Sequence, residues 1–135
     1  MRRIYLDSAP IIYLVEHVAP YEQQIHALLQ STDTLVTSEL ARLECRVKPI
    51  RENDTDTLQD YDVFFQSAFA DIVSLSSEVI DLATNIRASY NFSVADSIHL
   101  ASALLARCDL FVTNDLQIAR YNQLTVVVLS SLNSV

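Results

Sequence analysis

The stretch Ile4-Tyr-Leu-Asp-Ser-Ala-Pro-Ile-Ile-Tyr-Leu-Val-Glu16 begins as a strand and continues as a helix. Ile4–Leu6 reads as the strand. Ser8 then caps a helix through Glu16, with Pro10 in its first turn, where a missing N–H costs nothing. Working outward, the same alternation recurs. Pro20 to Gln30 reads as a helix and Leu35–Thr37 as a short strand. Ser38 caps a third helix, and Pro49 is expected to end it. Glu52 to Asp62 holds five acids and no base, so it begins as a solvated turn and passes into a helix toward Ala70. Asp71–Leu75 reads as a third strand. Ser77–Ser89 and Ser93–Arg107 are helical, Leu110–Thr113 and Thr125–Leu129 are strands, and a short helical turn starts at Asp115. Strands separated by helices predict βαβ units: an α/β domain over residues 1–135, with a central parallel sheet of about five strands flanked by helices.

Four acids stand at unexpected places on this frame. Asp7 follows the first strand and Asp115 ends Leu110-Phe-Val-Thr-Asn-Asp115. Both therefore land on the carboxyl rim of the sheet, where sites form in open α/β folds. Asp96 lies at the amino end of a helix that is apolar nearly all round, where the helix dipole favours a carboxylate. Glu44 lies about two turns into the helix after the second strand. At roughly 100° per residue, Glu39, Arg42 and Arg46 share one side of that helix, and Leu40, Leu43 and Val47 share the other. Glu44 falls within the apolar arc, where a carboxylate is costly unless paired or bound to metal.

Each acid also has a plainer reading. Asp7 could cap the helix that follows it, and Asp115 the turn that follows it. Ser93-Val-Ala-Asp96 fits a variant capping box. Glu44 could belong to a buried ion pair. If the fold gathers the four, they form an oxygen-lined pocket for a hard divalent cation, and that points to phosphodiester hydrolysis.

Composition narrows the field. Half the residues are hydrophobic, which excludes a disordered chain. No apolar run approaches a membrane span or a signal-peptide core, so the expected location is intracellular, the cytoplasm by default. Cys45 and Cys108 are isolated, with no CxxC pair, which suggests neither a disulfide framework nor a zinc site. The chain has no Gly, so Gly-rich phosphate loops are excluded, and tight turns must use Asn, Asp or Ser. The net charge of −8 argues against a general polyanion coat. Of nine Lys and Arg residues, Arg42, Arg46, Lys48 and Arg51 fall in one segment. That segment reads either as a solvated helix face or as a basic edge guiding a phosphate backbone toward Glu44.

Together, Tyr5-Leu-Asp-Ser8, Thr37-Ser-Glu-Leu-Ala-Arg-Leu-Glu44, Ala95-Asp-Ser-Ile-His-Leu-Ala-Ser-Ala-Leu104 and Phe111-Val-Thr-Asn-Asp115 resemble the PIN domain. Within it, they resemble the short VapC-like toxins of toxin–antitoxin pairs. The resemblance implies a Mg²⁺- or Mn²⁺-dependent endoribonuclease, a homodimer, RNA as substrate and a partner antitoxin. It implies that Asp7, Glu44, Asp96 and Asp115 are the acidic quartet, with Ser8 and Thr113 as supporting hydroxyls. Arg42, Arg46 and Lys48 are then candidates for contact with RNA or antitoxin.

Other readings compete. An aspartyl phosphatase wants a second acid two residues after Asp7, where Ala9 stands. A receiver wants a Lys on a late strand, and Lys48 is the chain's only lysine. A catalytically silent PIN-like module, binding RNA or protein, would be expected to have lost acids. His99 reads as a core or interface histidine, and Tyr90 and Phe92 as core packing.

Overall fold

The structure, a computed structural model, describes residues 1–129. A five-stranded, wholly parallel sheet carries helices on both faces. In chain order the strands are β1 (Arg3–Leu6), β2 (Thr34–Ser38), β3 (Phe69–Val73), β4 (Leu110–Thr113) and β5 (Thr125–Val128). The helices are α1 (Ser8–Val15), α2 (Tyr21–Leu28), α3 (Glu39–Arg51), α4 (Thr55–Ser67), α5 (Ser77–Tyr90) and α6 (Val94–Leu105). A 3₁₀ turn spans Leu116–Arg120. Among the described residues, no helix is long and apolar enough to cross a membrane.

The strand order is β3-β2-β1-β4-β5. The chain winds outward from β1 through β2 and β3, then returns to the other side of β1 for β4 and β5. The winding thus reverses between β1 and β4, the position at which open α/β sheets leave a crevice. Because both faces are covered, the central strands are apolar without alternation. Ile4, Tyr5 and Leu6 are all fully buried, yet they serve different cores. Tyr5 and Phe111 stack in the core beneath α5 and α6, with Val79, Ile86 and Leu100. Ile4, Leu6 and Val112 enter the opposite core with Ile11, Ile25, Cys45, Tyr61 and Phe65. The period of two along each strand makes that division. Tyr90 and Phe92 stack on each other, and Phe92 is buried in the first core.

Three expectations are corrected. Pro49 does not end its helix, because α3 continues to Arg51 with Pro49 inside and buried. Beyond Pro49 the helix closes with Glu52 N–H donating to Lys48 O and Asp54 N–H to Pro49 O. The third strand starts at Phe69 rather than Asp71, and α4 ends at Ser67. Phe69 anchors it there, packed edge-on against Phe64 and stacked on Phe65. On α3 the core side is Ala41, Cys45 and Pro49, while Leu43 and Val47 are exposed. The small side chains let the helix lie close to α1, where Cys45 Sγ reaches Ser8 O at 3.8 Å, and the large ones stand outside.

A chain without Gly must place other residues in left-handed backbone. His17, Asn53, Asn91 and Arg107 have positive φ. Asn tolerates this conformation; Arg pays a steric cost between Cβ and the following carbonyl. Arg107, at φ 58°, ends α6 with its N–H on Leu104 O while Cys108 N–H reaches Ala103 O. That pattern is a Schellman motif, in which Gly is the preferred residue. Arg107→Gly is therefore expected to stabilise the protein by roughly 0.5–1 kcal/mol, the relief of the steric cost less the extra entropy of an unfolded Gly. Urea denaturation at constant m-value checks this; a fall in midpoint would contradict it.

Candidate active site

The crevice between β1 and β4 is where Asp7 lies. Its N–H donates to Val112 O, extending the β1–β4 ladder by one residue. Asp7 occupies the N-cap position of α1, but its side chain makes no capping bond. Instead Oδ2 accepts from Thr113 Oγ1 at 2.6 Å. Asp7 is only 7% exposed, and Oδ1 is buried without a hydrogen-bond partner, the single such side-chain atom among the described residues. Burial, chiefly, pushes the Asp7 carboxyl up to about 6. The bond from Thr113 and the nearness of His99 oppose that rise, while Asp96 and Glu44 add to it.

Thr113, fully buried at the end of β4, joins two of the acids. Besides donating to Asp7, its Oγ1 accepts from the Asp115 N–H at 3.0 Å. Asp115 is a cap: its Oδ1 accepts from Gln117 N–H at 2.9 Å and starts the 3₁₀ turn. Asp96 sits in the first turn of α6, where Ser93 Oγ accepts from its N–H at 3.0 Å. That half of the expected capping box is present. The Asp96 side chain is half-buried and faces Asp115, and burial followed by that like charge raises its carboxyl above the ordinary range.

Glu44 approaches from α3. Its Oε1 accepts from Ser8 Oγ at 2.5 Å and from His99 Nε2 at 2.8 Å. Burial raises this carboxyl, but the bonds from His99 and Ser8 outweigh it and hold it below the usual glutamate range. Asp7, Ser8, Glu44, Asp96 and His99 line one cleft of about 320 Å³. Asp115 joins it through Asp96. A larger, more apolar cleft of about 590 Å³, near Leu14, Val63 and Phe64, also holds Glu22 and Asp60, but Glu22 is paired with His17 at 2.7 Å.

Arg42 and Arg46 lie roughly 160° around α3 from Glu44. Arg42 pairs with Glu39 at 2.5 Å, and Arg46 reaches Asp62 at 3.7 Å. Lys48, one turn after Glu44 on the same side of α3, is exposed.

His99, read as a core or interface histidine, is indeed buried, and it also lines the cleft. Its partners are polar and belong to the cleft. Its position three residues after Asp96 on a helix, hence beside it, was the available signal.

The residues suit a hard divalent cation. Every carboxylate donor is oxygen, one buried oxygen lacks a proton donor, and the acids raise one another's proton affinity. Among the described residues, no group of three or more His, Cys, Asp or Glu side chains is arranged to hold a metal ion by itself. Mg²⁺ commonly binds one or two carboxylates and keeps several waters, which fits an open cleft.

Solved structures share this architecture. A chain of VapBC2 from Rickettsia felis, bound to a DNA fragment from its promoter, matches with TM-score 0.74 and 17% identity, over 93% of this chain and 98% of that one. DNA-bound VapBC from Salmonella typhimurium gives 0.72 and 16%, over 95% and 98%. A toxin–antitoxin complex from Klebsiella pneumoniae gives 0.70 and 19%, over 93% and 96%. At such identities the likeness concerns the fold. No curated protein matches in sequence. The family model described as PIN domain matches residues 4–124, which take in β1 to β4 and every helix, and the chain belongs to the PIN domain family.

Proposed function

We propose that this protein is a divalent-cation-dependent endoribonuclease and the toxin of a toxin–antitoxin pair. The observation that carries the reading is Asp7 Oδ1, a buried carboxylate oxygen that no N–H or O–H reaches. An ionised carboxylate can only accept, and a cation in the cleft would satisfy such an atom. Family membership and the acidic quartet at one crevice support the nuclease part. The toxin–antitoxin complexes among proteins of like fold support the rest.

Asp7, Glu44 and Asp96 would hold Mg²⁺ or Mn²⁺ directly or through water, with Asp115 completing the charge. Such an ion, when bound, supplies Lewis acidity toward a phosphate oxygen and activates water for attack. The chain's own groups do the positioning. Thr113 fixes Asp7 through Oδ2 and leaves Oδ1 to the ligand. Ser8 ties Glu44 to the start of α1. The amino end of α6 turns its positive dipole toward Asp96 and toward any phosphate lying there. An antitoxin and a second copy of the chain are the expected partners. Arg42, Arg46 and Lys48 are the proposed contact with RNA or antitoxin.

Cleavage of RNA by the purified protein should need Mg²⁺ or Mn²⁺ and cease in EDTA. Asp96→Asn should lose activity by a factor of a hundred or more while remaining folded. RNA cleavage that survives thorough chelation contradicts the proposal, and RNA binding without cleavage at any metal concentration favours a silent module.

Asp7 also sets a pH dependence. Its folded-state value of about 6 lies above the ordinary 3.8, so the folded protein holds this proton more tightly than the unfolded chain. The resulting penalty is absent below pH 4, grows as pH rises through 6, and is full above it. Its upper bound is roughly 3 kcal/mol. Asp7→Asn removes the charge and keeps the shape, so without metal its melting temperature should equal or exceed wild type at pH 7.5. The advantage should fade between pH 6 and 4. A large loss of stability at pH 7.5 contradicts this.

A further inference from the structure

Glu44 reaches the cleft from a helix whose large apolar side chains point outward, and a free glutamate would sample several rotamers there. Two donors prevent that, and both take the same oxygen, Oε1. Among the described residues no protein donor reaches Oε2, which is left to the cleft. One donor, Ser8, is a short local hydroxyl. The other, His99, is itself held from behind.

The His99 ring is 3% exposed and bonds at both nitrogens. Nε2 lies 2.8 Å from Glu44 Oε1, and Nδ1 lies 2.7 Å from the Tyr5 hydroxyl. Tyr5 is fully buried, stacked on Phe111 at 5.1 Å, with the imidazole edge-on to its ring at 5.8 Å. The Tyr5 and Ser38 hydroxyls are 2.8 Å apart, and Ser38 Oγ accepts from Ala41 N–H at 3.4 Å.

Proton bookkeeping fixes one end of this chain. An ionised Glu44 can only accept, so the imidazole proton sits on Nε2. Nδ1 then faces the Tyr5 hydroxyl, which itself lies 2.8 Å from Ser38 Oγ. The tautomer of a histidine is set by the bond at its other nitrogen, and here that bond comes from Tyr5. The series crosses four elements: β2, β1, α6 and α3.

We infer that His99 is a positioning residue, oriented by the Tyr5–Ser38 hydroxyl pair, that locks Glu44 with Oε1 occupied and Oε2 presented to a cation in the cleft. The inference rests on the reading of the cleft as a cation site. Outer residues that orient ligands in this way commonly influence metal affinity ten- to a hundredfold.

The test uses three variants and two readouts. Mn²⁺ binding is measured by calorimetry without RNA, and the His99 tautomer is read from long-range ¹H–¹⁵N correlations without metal. His99→Leu should lose at least tenfold in Mn²⁺ affinity. His99→Gln, whose amide can still donate toward Glu44, should recover most of that loss. Tyr5→Phe keeps the ring stack and should weaken Mn²⁺ severalfold. In the wild type the proton should sit on Nε2, and in Tyr5→Phe the ring signals should shift or broaden. If His99→Leu does not fold, the Gln and Phe variants carry the comparison. Wild-type affinity in folded Leu and Phe variants, or a Gln variant no better than Leu, overturns the inference. A wild type that binds no Mn²⁺ overturns the cation-site reading instead. The tautomer measurement then still decides the lock: an Nδ1–H ring, or one unchanged by Tyr5→Phe, shows that His99 is not held between Tyr5 and Glu44.

Discussion

A carboxylate removed from water with one oxygen bonded and the other bare is a poor arrangement for a stable protein, and Asp7 is so arranged. The backbone puts it there. Its N–H completes the ladder between β1 and β4, so the residue cannot swing out to solvent without giving up that bond. Thr113, buried on the neighbouring strand, takes Oδ2 and thereby aims Oδ1 into the crevice. The neighbouring acids do not relieve the strain. Asp96 and Glu44 both push the Asp7 proton affinity upward, and Asp96 faces Asp115 in turn. The site is thus an unbalanced negative charge held by structure that is otherwise well satisfied.

The fold explains why these residues meet. Reversal of winding between β1 and β4 leaves a gap at the carboxyl ends of the two central strands. Residues at the ends of those strands, Asp7 and Thr113 to Asp115, come to the gap without any special loop. Helices α3 and α6 then bring Glu44 and Asp96 from opposite cores. Ser8, His99 and Thr113 tie these elements together through hydrogen bonds spanning 36, 55 and 106 residues of sequence. The protein contains no glycine, so the backbone that positions the site is built from stiff elements, from capping by Ser and Asp side chains, and from Asn91 closing α5 in left-handed backbone.

Much of this was legible in the residues themselves. Acids directly after short apolar strands mark the rim of a parallel sheet, and Asp7 and Asp115 lie there. Capping chemistry is local, so Ser38 and Ser93 were readable as helix starts. The orientation of α3 was not. Ranking residues by hydrophobicity turns Leu43 and Val47 inward, whereas close approach to the neighbouring helices selects Ala41 and Cys45. Packing distance decided that, and it is not written in a single helix. His99 was obscured for a related reason. Its partners Tyr5 and Glu44 lie 94 and 55 residues away, so a lone histidine on an apolar helix looked like core filling. The early start of β3 depended on Phe69 meeting Phe64 and Phe65, an aromatic cluster that only the folded chain assembles.

The central claim is that the bare oxygen of Asp7 faces a cation. Anomalous diffraction from crystals grown with Mn²⁺ tests it directly. The account predicts an anomalous peak in the crevice between β1 and β4, within coordination distance of Asp7 Oδ1. A structure in which Asp7 Oδ1 takes a hydrogen bond from a protein group, with Mn²⁺ absent or bound elsewhere, would contradict it.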